Sequence, residues 1–307
     1  MTNISASMVK ELREMTGAGM MDCKKALIET SGEMEASVDL LRTKGLAKAA
    51  KKSGRTAAEG LVGVVTKEGV GALVEINSET DFVARTPEFQ AFAKACASLA
   101  LQNNGDLEGL LAAPVDGGAT VAETLSSLIA KIGENMAVRR TAVLSASPGV
   151  VASYVHNAVA PGLGKIGVLI ALQSSADADK LNALGKQLAM HVAATSPLAL
   201  DVASLDPELV ARERAIFAEQ ARESGKPENI VEKMVEGRLR KFYEESVFLS
   251  QVFVIDGETR IGKVLENATK EFGASVEIAG YLRFAVGEGI EKPSEDFAAE
   301  VNSVAGN

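Results

Sequence analysis

At 307 residues the chain has room for about two domains and a sizeable core, and 47% hydrophobic with 24% charged residues excludes wholesale disorder. A formal charge of −9 and a 4% aromatic content without Trp exclude a protein that coats nucleic acid through bulk charge or stacks its bases. No apolar run approaches the ~20 residues that cross a bilayer, the Met1–Ser5 start lacks a secretory pattern, and Cys23 and Cys96 are too few for a disulfide framework, so the expected compartment is the reducing cytoplasm.

Residues 1–45 read as a three-helix module. Leu12 and Met15 follow Met8 at helical spacing, and Gly17-Ala18-Gly19 breaks the run. Met20 to Ile28 resumes it, Ser31-Gly32 breaks it again, and Met34, Val38 and Leu41 form a third apolar stripe. So short a module buries little by itself and needs a neighbour or a partner. It also carries a charge asymmetry: residues 1–56 hold ten Lys and Arg against seven Asp and Glu, while the remainder is acidic. From Lys44 to Arg55 lysines stand amid alanines, and residues 46–57 read as a basic linker, either a solvated, partly helical connector or a tether towards an acidic surface.

Leu61–Val65 and Ala72–Ile76 are β-rich runs around a Gly-containing turn, hence a hairpin, followed by a helix from about Pro87 to Leu101. Val151–Val155 and Ile166–Leu172 repeat the pattern around a Gly-rich loop, followed by a helix from about Asp177 to Ala194. The order strand, strand, helix occurs twice, which predicts a duplicated α+β unit: 58–145 for the first, 146–200 with 247–290 for the second. Residues 120–138 between them read as helical. Residues 206–246, within a module at 201–246, read as two charged helices split at Gly225-Lys226-Pro227, with Val210, Phe217, Val231, Val235 and Phe242 as one seam. Such a hairpin pairs internally or with a second copy. A helix near 259–272, a strand near 276–286 and an acidic tail helix at 291–307 complete the expected order.

Catalytic constellations are missing from the sequence. His156 and His191 have no Cys or His neighbour at metal-ligand spacing and read as surface or structural residues. Gly185-Lys186, Gly225-Lys226 and Gly262-Lys263 are never followed by the Ser or Thr of a phosphate loop, and no nucleophile elbow occurs. Gly162-Leu163-Gly164-Lys165-Ile166-Gly167 spells a dinucleotide fingerprint, but a β-rich run follows it where that fold needs a helix, so it reads as a hairpin loop. The expectation is a protein that acts by binding, with no catalytic residue, cofactor or metal, no direct nucleic-acid contact and no membrane segment.

Two segments stand out. In Met15-Thr16-Gly17-Ala18-Gly19-Met20-Met21-Asp22-Cys23, the paired methionines after a Gly turn read either as core or as adaptable thioethers displayed to another protein. In Val74-Glu75-Ile76-Asn77-Ser78-Glu79-Thr80-Asp81-Phe82-Val83, an acid stands beside a large aromatic where a strand passes into a helix. One reading makes Asp81 a local cap and buries Phe82 under its own helix; the other projects the pair as a wedge that pries a partner open. Further along stand Lys131-Ile132-Gly133-Glu134-Asn135 with Arg139-Arg140, Ala189 to Ala194, Ser224-Gly225-Lys226-Pro227 with Glu232 to Arg238, and Arg283 to Glu291.

In this order and at these places the segments resemble the signature regions of the bacterial translation elongation factor Ts family, over nearly the whole chain from about Ile4 to Val301. The resemblance implies an α+β fold with an N-terminal three-helix ubiquitin-associated-like domain, a core of two related α+β subdomains, an inserted helical hairpin for dimerisation and a C-terminal helix. It implies a guanine-nucleotide exchange factor whose partner is the GTPase elongation factor Tu. Thr80, Asp81, Phe82 and Val83 then insert beside the partner's magnesium and phosphate site, with Phe82 as the wedge. Leu12, Met20 and Met21 fall in the docking stretch of the N-terminal domain, Ile132 and Gly133 in a second contact strip, and the region of Val151–Leu172 faces the partner's far domain. His156 receives no role. Residues 103–119 and the Gly162–Gly164 loop are longer or richer in Gly than the family pattern. Two questions stay open at this level: a one-to-one or two-to-two complex through residues 206–246, and the alternative of a non-catalytic scaffold that holds the same GTPase in another assembly.

Overall fold

Ser5 opens the first helix, its hydroxyl accepting the Met8 N–H, and Gly17 closes it in the left-handed conformation (φ 65°) that glycine adopts without strain. The structure, a computed structural model, describes residues 4–116 and 118–291, so the expected tail helix lies outside the described residues beyond Glu291. α1 (Ala6–Thr16), α2 (Met20–Glu29) and α3 (Met34–Lys52) enclose a small core of Val9, Leu12, Cys23, Ala26 and Leu27. The stretch expected as a basic linker is helical as far as Lys52, an extension of α3, because alanine and lysine favour the helix and one side of it finds cover.

That cover comes from the first α+β unit. β1 (Glu59–Lys67) and β2 (Val70–Ser78) form the expected hairpin, and α4 (Asp81–Ala84), α5 (Pro87–Gln102), α6 (Leu107–Ala112) and α7 (Val121–Ile132) follow. Ala49 of α3 packs onto this unit's core, and Arg42 pairs with Glu123 of α7. α7 stops at Gly133 (φ 90°), and the residues from Met136 to Ser145, partly expected as helix, form β3 on the free side of β2. The correction has a plain cause: the left-handed Gly133 ends the helix, and β2 offers an unpaired edge to whatever chain comes next.

A second antiparallel sheet follows. β4 (Gly149–His156) and β6 (Ile166–Gln173) pair around the Gly162 loop, whose short β5 (Leu163–Gly164) adds to the edge of β1. After α8 (Ala178–Thr195), α9 (Pro207–Arg222), α10 (Glu228–Ser246) and α11 (Ile261–Phe272), β7 (Glu277–Ala285) returns beside β6. The sheets run β3-β2-β1-β5 and β4-β6-β7. In each, a hairpin is completed by a strand that returns next to its second member, and each such pairing carries one register shift, at Glu75/Ile76 of β2 and at Ala171/Leu172 of β6.

The two sheets lie face to face between helical layers, which explains why their strands are apolar on both faces. Leu61, Ala72, Val74 and Ile76 point to α5, while Val62 and Leu73 meet Leu169 and Ala171 from the other sheet. Val168, Ile170 and Leu172 point the opposite way, to α8 and α11. The sheets approach closely at Gly167, where an added Cβ would stand 2.6 Å from a Val62 methyl. Gly167, the last of the fingerprint-like glycines, therefore serves sheet packing, while Gly162 takes the left-handed conformation (φ 75°) of the loop. α9 and α10 form the hairpin, with Val231, Val235 and Leu239 against Phe217 and Ala221, while Phe242 packs at its base.

Candidate partner-binding surface

β2 leaves the sheet at Ser78, whose hydroxyl donates to the Thr80 carbonyl (2.8 Å), and the chain then makes the single helical turn of α4. Thr86 caps the next helix through the Phe89 N–H, with Pro87 at its first position, so the turn cannot extend. Val83 and Ala84 are buried, at 5% and 2% exposure, and hold the turn to the body. Phe82 points away at 76% exposure, the highest of any large apolar side chain among the described residues. Asp81 pairs with Arg85 (2.9 Å) and does not cap the turn. Of the two readings open in the sequence, burial of Phe82 beneath its own helix is therefore excluded. Full burial of such a ring yields about 1.5–3 kcal/mol, so the chain forgoes most of a core residue's contribution here.

The turn is held from outside. Thr80 donates both its backbone N–H (3.0 Å) and its hydroxyl (2.7 Å) to the Glu134 carboxylate. Glu79 accepts the Asn135 N–H (2.5 Å) and lies 3.5 Å from Arg55. Asn135 in turn donates its side-chain amide to the Arg55 carbonyl (2.6 Å), and Lys52 donates to the Gly133 carbonyl. Ile132 is half-buried against the first unit's core. The loop after α7 thus joins the Thr80–Val83 segment to the end of α3. Glu79, Glu134 and Asn135 carry no local signal of this role; only their closeness to Thr80 and to Ile132-Gly133 in the quoted motifs hinted at it.

On the N-terminal module, Met20 and Met21 are 60% and 63% exposed at the start of α2, joined by Met15 at the end of α1. The core reading of the methionine pair fails because Leu12, Cys23 and Leu27 already fill the interior. Leu12 itself is wholly buried and lies beneath this surface. The Gly17 turn reaches the rest of the site through Lys131, whose ammonium would stand 3.4 Å from a Cβ added at Gly17 and which pairs with Glu88 (2.7 Å). The Gly17 turn between the methionines, the Lys131–Glu134 stretch and Thr80, two residues before Phe82, are therefore linked in succession.

A cleft of about 640 Å³ lies between the module and α7, lined among others by Met15, Leu41, Lys48 and Ala130. Its basic character is largely neutralised: Lys44 pairs with Glu29, Lys48 with Asp22 and Arg42 with Glu123. The Lys48 hydrogen bond holds the Asp22 carboxyl below its ordinary range despite partial desolvation. Among the described residues no group of three or more His, Cys, Asp or Glu stands together in a way that could hold a metal ion.

Three of the quoted motifs serve to pin the two units together. Glu75, fully buried, accepts from Arg139 (3.1 Å), Arg140 (2.5 Å), Asn77 (3.0 Å) and the Gly287 N–H (2.8 Å). Burial alone pushes its pKa up, but the Gly287, Asn77 and Arg140 contacts outweigh that and hold the carboxyl below its ordinary range. Arg140 also lies over the Phe284 ring at 4.2 Å. An acid inside the run Val74-Glu75-Ile76 and a doubled arginine were the sequence signals for this pin. His191 is fully buried beside Phe248; its Nδ1 accepts the Val254 N–H (3.2 Å), so Nε2 donates to Gln251 (2.8 Å). Burial lowers its pKa against the opposing Gln251 bond. His156 is exposed beside the Tyr154 hydroxyl.

A family model described as elongation factor TS matches residues 79–288, from Glu79 beside the exposed turn to Glu288. The chain is 62% identical over 307 residues to a protein named elongation factor Ts from Rhodospirillum centenum, covering 100% of both chains. It is 60% identical to proteins of the same name from Gluconobacter oxydans, over 100% of this chain and 99% of that one, and from Rhodospirillum rubrum, over 98% of each. The N-terminal module, outside the matched model, lies within these full-length similarities. The chain belongs to the elongation factor Ts family.

Proposed function

We propose that the protein is a guanine-nucleotide exchange factor: it binds elongation factor Tu carrying GDP, disturbs the magnesium and phosphate site, and so promotes GDP release during translation elongation. The observation that carries this reading is Phe82, three-quarters exposed on a turn that Val83 and Ala84 anchor by burial and that is fixed from outside through Thr80. A rigidly presented aromatic ring has no use to the chain alone and suits insertion into a partner.

In this reading Met20 and Met21 dock on the GTPase domain, and Leu12 supports them from beneath. Ile132 and Gly133 form the second strip, Val83 anchors the wedge, and Asp81 brings a charge beside the magnesium environment. A nanomolar nucleotide is held by about 12 kcal/mol, much of it from magnesium and backbone amides around the phosphates. A protein that binds best to the distorted, emptied site weakens the nucleotide, and the nucleotide weakens the protein's binding by the same factor. No bond is made or broken. The function places the protein in the cytoplasm with the translation machinery, and no helix among the described residues is long and apolar enough to cross a membrane.

The test is stopped-flow release of a fluorescent GDP from elongation factor Tu. Release that accelerates with protein concentration and saturates is expected; tight binding without acceleration favours the scaffold. The hairpin of α9 and α10 fills its own seam but leaves Ile216 and Ile230 about 40% exposed, and we assign that outer face to a second copy. Deleting residues 206–246 should abolish any dimer in sedimentation while exchange persists; a monomeric full-length chain would refute the assignment.

A further inference from the structure

We infer that Glu134 is the positioning residue of the wedge: its carboxylate, bonded twice to Thr80, sets the direction in which Phe82 leaves the body, and its loop ties that direction to the docking module. The inference rests on the reading of Phe82 as the exchange wedge.

α4 has only four residues, and a single turn cannot sustain its own geometry. Thr80 occupies its N-cap position, yet the Thr80 side chain does not cap the turn; both Thr80 donors go instead to Glu134, 54 positions away. The orientation of the turn is thus imposed across the fold. The clasp is reciprocal, because Glu79 on the wedge side accepts the Asn135 N–H while Glu134 on the far side accepts the Thr80 N–H. Hydrogen bonds to a carboxylate are roughly twice as strong as neutral ones and more directional, so two crossed pairs leave the segment little freedom.

The same three-residue loop is held to the end of α3 by Lys52 on the Gly133 carbonyl and by the Asn135 amide on the Arg55 carbonyl. α3 is continuous from Met34 into the three-helix core. The methionine surface and Phe82 are therefore members of one frame, and docking of the module delivers the ring at a set place. Loss of the clasp leaves the docking surface intact and frees the ring to point elsewhere.

Glu134→Gln tests this with little change of shape, since a neutral amide offers one accepting oxygen in place of two and no charge to strengthen the bonds from the Thr80 N–H and hydroxyl. Fluorescent GDP release from the GTPase partner is measured across protein concentrations for Glu134→Gln, Phe82→Ala and the double variant. The expected result is a saturating release rate about ten-fold lower for Glu134→Gln, with a half-saturating concentration within about two-fold of the unaltered chain. In the Phe82→Ala background the same change should add nothing, because there is no ring left to aim. Losses that multiply in the double variant, a loss confined to the half-saturating concentration, or an unaltered rate in Glu134→Gln would each overturn the proposal. Should Phe82→Ala alone release GDP at the unaltered rate, the wedge reading fails and this proposal with it; a slow Phe82→Ala beside an unaltered Glu134→Gln removes the positioning role alone. If Glu134→Gln does not fold, Thr80→Val takes its place, removing one of the two donors with the same expected split and the same refuting outcomes.

Discussion

Replacing Phe82 by Ala removes an aromatic ring that the free chain barely uses, so its effects on stability and on exchange should separate. An aromatic side chain covers about 150–250 Å² when fully buried. At 76% exposure about 150 Å² of Phe82 remains for a partner to cover, and Ala would retain about a third of that. The lost ~100 Å² at ~25 cal/mol per Å² amounts to ~2.5 kcal/mol. Because the ring is engaged only where the nucleotide is leaving, that loss falls on the release barrier and corresponds to a rate about 70-fold lower. Stability should change by no more than about 0.5 kcal/mol, as for other exposed positions. The assay is saturating release of fluorescent GDP beside thermal unfolding of the variant. Val83→Ala provides the contrast, since its 5% exposure makes it a stability residue first. An unaltered release rate in Phe82→Ala, or a fold loss as large as that of Val83→Ala, would refute the reasoning.

Met20→Ala with Met21→Ala should raise the half-saturating concentration about ten-fold with little change in melting, whereas Leu12→Ala should cost about 2–5 kcal/mol of module stability; the reverse assignment in titration and calorimetry would make the methionines core. Glu75→Gln should lower stability by about 3 kcal/mol in urea, the low end for a broken buried pair because Arg139 and Arg140 keep 28% and 31% exposure. Its carboxyl is held below the ordinary value, so the unaltered chain carries this stability above about pH 4.3 and loses it as pH falls further, a slope the variant should lack. His191 is held below the ordinary imidazole value, so its contribution is complete above about pH 6.5 and declines as pH falls through that value. Urea midpoints taken between pH 7.5 and 5.5 should fall in the unaltered chain and stay level in His191→Gln; equal slopes would place the titration elsewhere.

What could be read from the residues in order is what depends on near neighbours. α1 and α2 were legible because Gly17 and Gly32 interrupt an apolar stripe, β1 with β2 because a short turn joins them, β4 with β6 because a Gly-rich loop separates two β-rich runs, and the hairpin because Gly225 and Pro227 punctuate it. The motifs of Thr80 to Val83 and of Met20-Met21 could be recognised as words, and with them the family. What the words do side by side was decided by contacts across long separations. β3 is a strand because β2 has a free edge to receive it, and α3 continues past Leu41 because α7 covers its flank. Leu12 and Met20 look alike as apolar residues on short helices, but the module has room for one and displays the other. The projection of Phe82 depends on a carboxylate 52 positions further on, bonded to its neighbour Thr80. Local propensity selects the elements, but burial and the direction of a side chain follow from which distant surface arrives to cover it.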